Sequence, residues 1–83
     1  MEASAIKQLV ESHIENSEAI VEVDGNSVRL TVISPAFADL RAVKKQQLVY
    51  ACLNEHIADG TIHAITMQTH TPEEWERARK FQM

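Results

Sequence analysis

The chain is poor in the residues that staple or interrupt small proteins, with one cysteine, two glycines, two prolines and four aromatic residues among 83. A lone cysteine, Cys52, cannot form an internal disulfide, so this short fold must depend on its apolar core. Two isolated glycines, Gly25 and Gly60, exclude a glycine-rich phosphate-binding loop. No run of eighteen apolar residues occurs, so no membrane-spanning helix is predicted.

Basic residues are scarce in the first third of the chain. Up to position 28, Lys7 is the only base against six acidic residues, and the net charge of the whole chain is −4. This balance argues against bulk electrostatic attraction to nucleic acid. The later bases form two clusters, which indicate either a local basic patch or two solvated helix surfaces. The clusters are Arg41, Lys44 and Lys45, and Arg77, Arg79 and Lys80.

The composition is that of a globular domain, with 45% apolar and 24% charged residues. The start, MEASAIKQLV, has neither a basic stretch nor a long apolar run, so no secretory signal is predicted. We therefore expect one domain over residues 1–83, in the cytoplasm.

The first half of the chain predicts a helix followed by a hairpin. Apolar residues recur at helical spacing over 3–15. Residues 19–23 and 27–33 alternate as half-buried strands do, and the intervening DGN favours a tight turn. Pro35 then ends the second strand, in a short turn expected to place Phe37 in the core.

The second half predicts a helix, a strand and a final helix. The helix covers about 42–58, and the residues expected on its core side are Val43, Val49, Tyr50, Leu53 and Ile57. Gly60 suits the left-handed position after it. A strand is predicted over 61–69. Thr71, Pro72 and Glu74 then form a capping box that starts a helix over 72–81, with His70 packed over Trp75.

The predicted order is α-β-β-α-β-α. A right-handed crossover makes the last strand parallel to the second. The expected fold class is α+β, with a mixed three-stranded sheet and helices packed on one of its faces.

Residues 5–80 resemble the BolA-like proteins, in particular their IbaG-type short bacterial branch. The likeness rests on VKKQQLVY at 43–50, IHA at 62–64 and TPEEW at 71–75. It implies a class II KH-like domain that acts as an adaptor and not as an enzyme. The implied partner is a monothiol glutaredoxin, with which the chain would share a [2Fe–2S] cluster, glutathione also taking part, in cluster trafficking or in iron- or stress-responsive regulation.

The resemblance implies that His63 is a cluster ligand. In a strand beginning at Thr61 it would share a face with Ile65 and Met67, at the rim of the sheet. The second ligand of the family, a histidine or cysteine, belongs to the loop between the first two strands. That loop reads DGNSVR, and the aligned position is Ser27 or Val28.

The identity of a second ligand is therefore open. The candidates are a partner residue or one of four side chains of this chain: Cys52, His70, His13 and His56. Cys52 and His56 are four residues apart on one predicted helix, although a small buried cysteine and a helix-end histidine are the alternative interpretation. A cluster needs about four ligands, mostly thiolates, so a chain with one cysteine requires a partner. Alone, it is expected to be a monomer or a weak homodimer.

The competing hypothesis is a KH-like, DNA-binding transcriptional regulator. KH domains bind nucleotides over a GXXG loop, and the matching segment FADLRAVKK has no glycine. Phosphate contacts would fall to Arg41, Lys44 and Lys45. No nucleophile elbow or Walker motif is present, so catalysis is not predicted.

Overall fold

The computed structural model describes residues 2–81, and the predicted order of elements is confirmed. One 3₁₀ turn, Pro35–Phe37, is added between the second strand and the second helix, and it buries Phe37 as expected. The helices and strands are α1 (Ala3–His13), β1 (Glu18–Asp24), β2 (Ser27–Ile33), α2 (Ala42–Ala58), β3 (Ala64–His70) and α3 (Pro72–Phe81). Within 2–81, none of the helices has the length and apolar character needed to cross a membrane.

The helix α1 ends two residues earlier than its apolar spacing predicts. Ile14 is already extended, with φ −113° and ψ 119°, and Asn16 has a positive φ of 52°. Ile14 is nevertheless buried. Its apolar character therefore reflects a place in the core and not a further turn of helix.

The three strands form one mixed sheet in the order β1-β2-β3, as predicted. β1 pairs with β2 antiparallel, and β2 pairs with β3 parallel. Leu30 at the centre lies between Val21 and Met67. In the two-residue turn of the hairpin only Gly25 has a positive φ (61°), which fits a type II′ turn with glycine at its first central position.

The helices α1 and α2 pack on one face of this sheet. α1 contacts β1 and α2, and α2 in turn contacts β3. The core between the helices and the sheet is built from residues that share this face: Ile6, Val10, Val28, Leu30, Val32, Val49 and Leu53. Burial of these apolar side chains is the main favourable contribution to the stability of so small a domain.

The helix α3 follows β3 directly and contacts that strand. His70 is on the face opposite Leu30, together with Gln68, whose Oε1 is 3.3 Å from His70 Nε2. The Trp75 ring is 5.6 Å from the His70 ring, as expected from the packing of His70 before the cap. The expected packing on one face is confirmed for α1 and α2, and α3 contacts the edge strand β3.

The core side of α2 differs in part from the prediction. Val49, Cys52 and Leu53 are buried, whereas Val43 is 63% and Tyr50 39% exposed, and Ile57 is also exposed. The three exposed residues repeat every seventh position, so they form a stripe of their own beside the buried one. Both stripes are apolar, and the packing of α2 against the sheet buries only one of them.

Candidate functional site

His63 lies immediately before β3 and is exposed. The prediction of a strand from Thr61 is wrong, because the ladder with β2 begins only where Ser27 pairs with Ala64. Since His63 precedes the ladder, it does not share the strand face of Ile65 and Met67. Its place at the rim of the sheet, with the side chain accessible, agrees with the sequence.

The backbone of His63 is held by the turn between β1 and β2. The amide of His63 donates to the carbonyl oxygen of Asn26 over 2.9 Å, and the amide of Ala64 donates to the same oxygen over 3.3 Å. The turn therefore lies directly against the residue that the resemblance singles out.

The segment before His63 is equally well fixed. Gly60 takes the left-handed conformation predicted for it, with φ 84°, and its amide donates to Ile57 O over 3.3 Å. The amide of Thr61 donates to Asp59 Oδ1 over 2.9 Å, and hydrogen bonds from the Thr61 side chain and amide lower the pKa of Asp59. Ile62, the residue before His63, is buried in the core. An exposed imidazole thus extends from a backbone anchored on both sides.

Gly60 also leaves space beside the ring. A β-carbon built on Gly60 would lie 3.5 Å from Nε2 of His63, which is ordinary van der Waals contact. One edge of the imidazole therefore faces the glycine, and a side chain at position 60 would cover part of it.

The two positions aligned with the second family ligand behave differently. Val28 is buried in the core, so it offers nothing to a ligand at the rim. Ser27 is exposed and pairs with Ala64, next to His63. The loop therefore supplies neither an imidazole nor a thiolate beside His63. The potential metal ligands of its side chains are the oxygen atoms of Asp24, Asn26 and Ser27.

Cys52 is buried in the core on α2. Its Sγ donates to Leu48 O over 3.3 Å, and burial raises the pKa of the thiol. A raised pKa disfavours the thiolate, which is the form that binds iron. In this conformation Cys52 is a small apolar core residue.

His13 and His56 line a small pocket of about 150 Å³ between α1 and α2, together with Cys52 and Glu55. The Nδ1 atom of His13 is 2.7 Å from Leu9 O, one turn earlier on its own helix. Four potential ligands thus border one pocket. Even so, residues 2–81 contain no group of three or more His, Cys, Asp or Glu side chains placed to hold a metal ion.

His70 ends β3, at the opposite end of the strand from His63. A strand of this length spans roughly 20 Å. The imidazole of His70 packs against the Trp75 ring and lies within hydrogen-bond distance of Gln68. One cluster cannot reach both histidines of a single chain.

The predicted basic patch lies at the start of α2. Arg41 occupies the N-cap position without a capping side-chain hydrogen bond, and Lys44 is exposed in the first turn. Lys45 is half-buried. The pKa of Glu74 is lowered chiefly by the hydrogen bond from the Thr71 amide, and the charge of Lys45 lowers it further. Two cations are thus exposed, while the third is close to a carboxylate of α3.

The donor set fits one ligand of a metal centre and not a complete one. His63 supplies one accessible imidazole, the turn beside it supplies oxygens, and the only thiol is buried elsewhere. The sequence revealed the turn and Gly60 but not their contact with His63. The contact joins a carbonyl oxygen to an amide far along the chain, and backbone groups carry no sequence signal.

The family described as BolA-like protein matches residues 2–74. The acid stress protein IbaG of Escherichia coli is 38% identical over 80 residues, which covers 96% of this chain and 95% of IbaG. The DNA-binding transcriptional regulator BolA of Haemophilus influenzae is 33% identical over 66 residues, covering 80% of this chain and 60% of that protein. A solved BolA homologue from Coxiella burnetii superposes with a TM-score of 0.79 at 34% identity, covering 92% of this chain and 97% of that one.

Proposed function

Because the chain belongs to the BolA-like family, we propose that it is an adaptor that shares a [2Fe–2S] cluster with a monothiol glutaredoxin. The observation that carries the proposal is His63, an exposed imidazole on a backbone fixed by Asn26 and Gly60. A ligand residue needs this combination, because the side chain must be accessible and its position must be reproducible.

Sharing is required by the chemistry of the chain. A [2Fe–2S] cluster takes about four ligands, mostly thiolates. His63 offers one nitrogen, and the pKa of Cys52 is raised by burial. The remaining ligands would come from the partner and from glutathione. Bound this way, the cluster would supply the iron–sulfur cargo or signal, and this chain would contribute one nitrogen ligand and a docking surface.

The proposal places the protein in a reducing, cytoplasmic compartment and gives it no catalytic role. A free, buried cysteine is compatible with such a compartment. The names of the relatives describe a stress protein and a transcriptional regulator. Cluster trafficking and iron- or stress-responsive regulation are the roles that suit an adaptor of this kind.

The test compares two histidines of the same chain. Each of His63→Ala and His70→Ala is co-purified with the monothiol glutaredoxin of the host, and visible absorption and circular dichroism of the complex are recorded. His63→Ala should alter or abolish the cluster spectrum while changing the melting temperature little, since the side chain is exposed. His70→Ala should keep the spectrum. An unaltered spectrum in His63→Ala would show that His63 is not a ligand.

A second candidate function is DNA binding. It is favoured by the exposed Arg41 and Lys44 at the start of α2 and by the regulator among the relatives. Phosphate contacts would make the binding strongly salt-dependent. A gel shift at low and at physiological salt tests it, with the double variant Arg41→Ala/Lys44→Ala as the control. The absence of retardation at low salt would remove this candidate.

A further inference from the structure

We propose that the turn between β1 and β2 is a positioning element for His63, acting through the carbonyl oxygen of Asn26. The inference rests on the proposed function, because it concerns the presentation of the same imidazole. In this chain the loop that holds a second ligand elsewhere in the family carries neither histidine nor cysteine. Its contribution is a backbone acceptor.

The geometry of the turn directs this acceptor toward β3. Gly25 has a positive φ of 61°, and the register closes Asp24 on Ser27 with only two residues between them. Asn26 is the second of these two, and its carbonyl oxygen accepts from His63 at 2.9 Å and from Ala64 at 3.3 Å. The turn thereby extends the β2–β3 contact one residue beyond the paired ladder, to His63.

His63 is the last residue of the loop that follows α2, and without this acceptor its amide would lose the hydrogen bond that ties it to the sheet. Ile62 is fixed by its buried side chain and by donation to His56 O over 3.1 Å, but neither contact fixes the backbone after it. The His63 side chain is exposed, so core packing does not hold its direction. Its position therefore depends on the peptide plane between Ile62 and His63, which the Asn26 carbonyl orients.

The sharpest test removes the donor and keeps the imidazole. Residues 52–83 can be made synthetically and joined to residues 1–51, because Cys52 is the only cysteine and provides the ligation junction. In one protein the amide of His63 is replaced by an ester. In the matched control the amide of Trp75 is replaced, which removes a hydrogen bond of the same 2.9 Å length, to Thr71 O.

Two readouts separate positioning from stability. The first is the NMR spectrum of the His63 ring in the chain alone, where we expect the His63 ester to shift and broaden the ring signals and the Trp75 ester to leave them unchanged. The second is retention of the cluster in the complex with glutaredoxin. Retention should fall roughly tenfold for the His63 ester only, the lower end of what losing the support of a metal-ligating histidine costs.

The outcomes also separate this inference from the proposed function. Unchanged ring signals and cluster retention in the His63 ester, while His63→Ala alters the cluster spectrum, would overturn the positioning role and leave the ligand role standing. Equal losses in both esters would also overturn it, since the effect would be general destabilisation. An unaltered spectrum in His63→Ala would end the proposed function and the positioning role together.

Discussion

Thr71 and Glu74 exchange two hydrogen bonds across the first turn of α3. The amide of Thr71 donates to Glu74 Oε1 over 2.8 Å, and the amide of Glu74 donates to Thr71 Oγ1 over 3.2 Å. Both ends of the predicted capping box are therefore formed. Thr71→Ala should lower the free energy of unfolding by about 1 kcal/mol. Thr71→Ser keeps the hydroxyl and should lose much less, and urea denaturation of the two variants makes the comparison.

Two leucines of α2 test which side of that helix is buried. Leu53 is fully buried, whereas Leu48 is 40% exposed. Leu53→Ala should cost about 2–5 kcal/mol, because it leaves a cavity in the core. Leu48→Ala should cost on the order of 1 kcal/mol or less, because much of the removed surface is already in water. Similar losses of melting temperature in the two variants would contradict this orientation of α2.

Truncation of Trp75 should cost less than truncation of a core aromatic residue. Phe37 is fully buried, whereas Trp75 is only half-buried. Phe37→Ala should cost about 3–5 kcal/mol. Trp75→Ala should fall below that range, while the ring signals of His70 shift as its aromatic neighbour is lost. Thermal denaturation and NMR of both variants provide the measurements.

Stability should fall in acid through carboxylates whose pKa the fold lowers, among them Glu11 and Glu74. The pKa of Glu11 is lowered chiefly by a hydrogen bond from the Lys7 side chain and further by one from the Ala19 amide. The hydrogen bond from the Thr71 amide lowers the pKa of Glu74.

A depressed folded-state pKa means that each contribution is complete above the pKa of the unfolded chain. It is lost as the pH falls through the folded-state pKa. Denaturation between neutral pH and pH values below the ordinary glutamate pKa should therefore show a decline that is shallower in Glu11→Gln and Glu74→Gln. An identical decline in both variants would assign the acid sensitivity to other groups.

The chain alone should hold little or no iron–sulfur cluster after incubation with iron and sulfide. Its only thiol is buried, and the raised pKa of Cys52 keeps it protonated. Cys52→Ser should accordingly leave the spectrum of the shared cluster unchanged. Alkylation of Cys52 should be slow in the folded chain and fast in denaturant. A stoichiometric cluster on the isolated chain would contradict the requirement for a partner.

The amino-acid sequence by itself determined the order of the elements, the hairpin and the start of α3. Each depends on neighbours along the chain: Gly25 permits the tight turn, Gly60 ends α2, and Thr71 with Glu74 caps the last helix. These signals act over a few residues, so they are readable without the fold.

Only the tertiary structure decided which stripe of α2 is buried and where β3 begins. Val43 and Val49 are equally apolar, and the choice between them comes from how α2 lies on the sheet. β3 begins at Ala64 because that is where Ser27 meets it. The setting of His63 follows from the same pairing, since the oxygen that holds its amide belongs to Asn26. Contacts between backbone groups far apart in sequence leave no residue pattern, and they form only when the chain has folded.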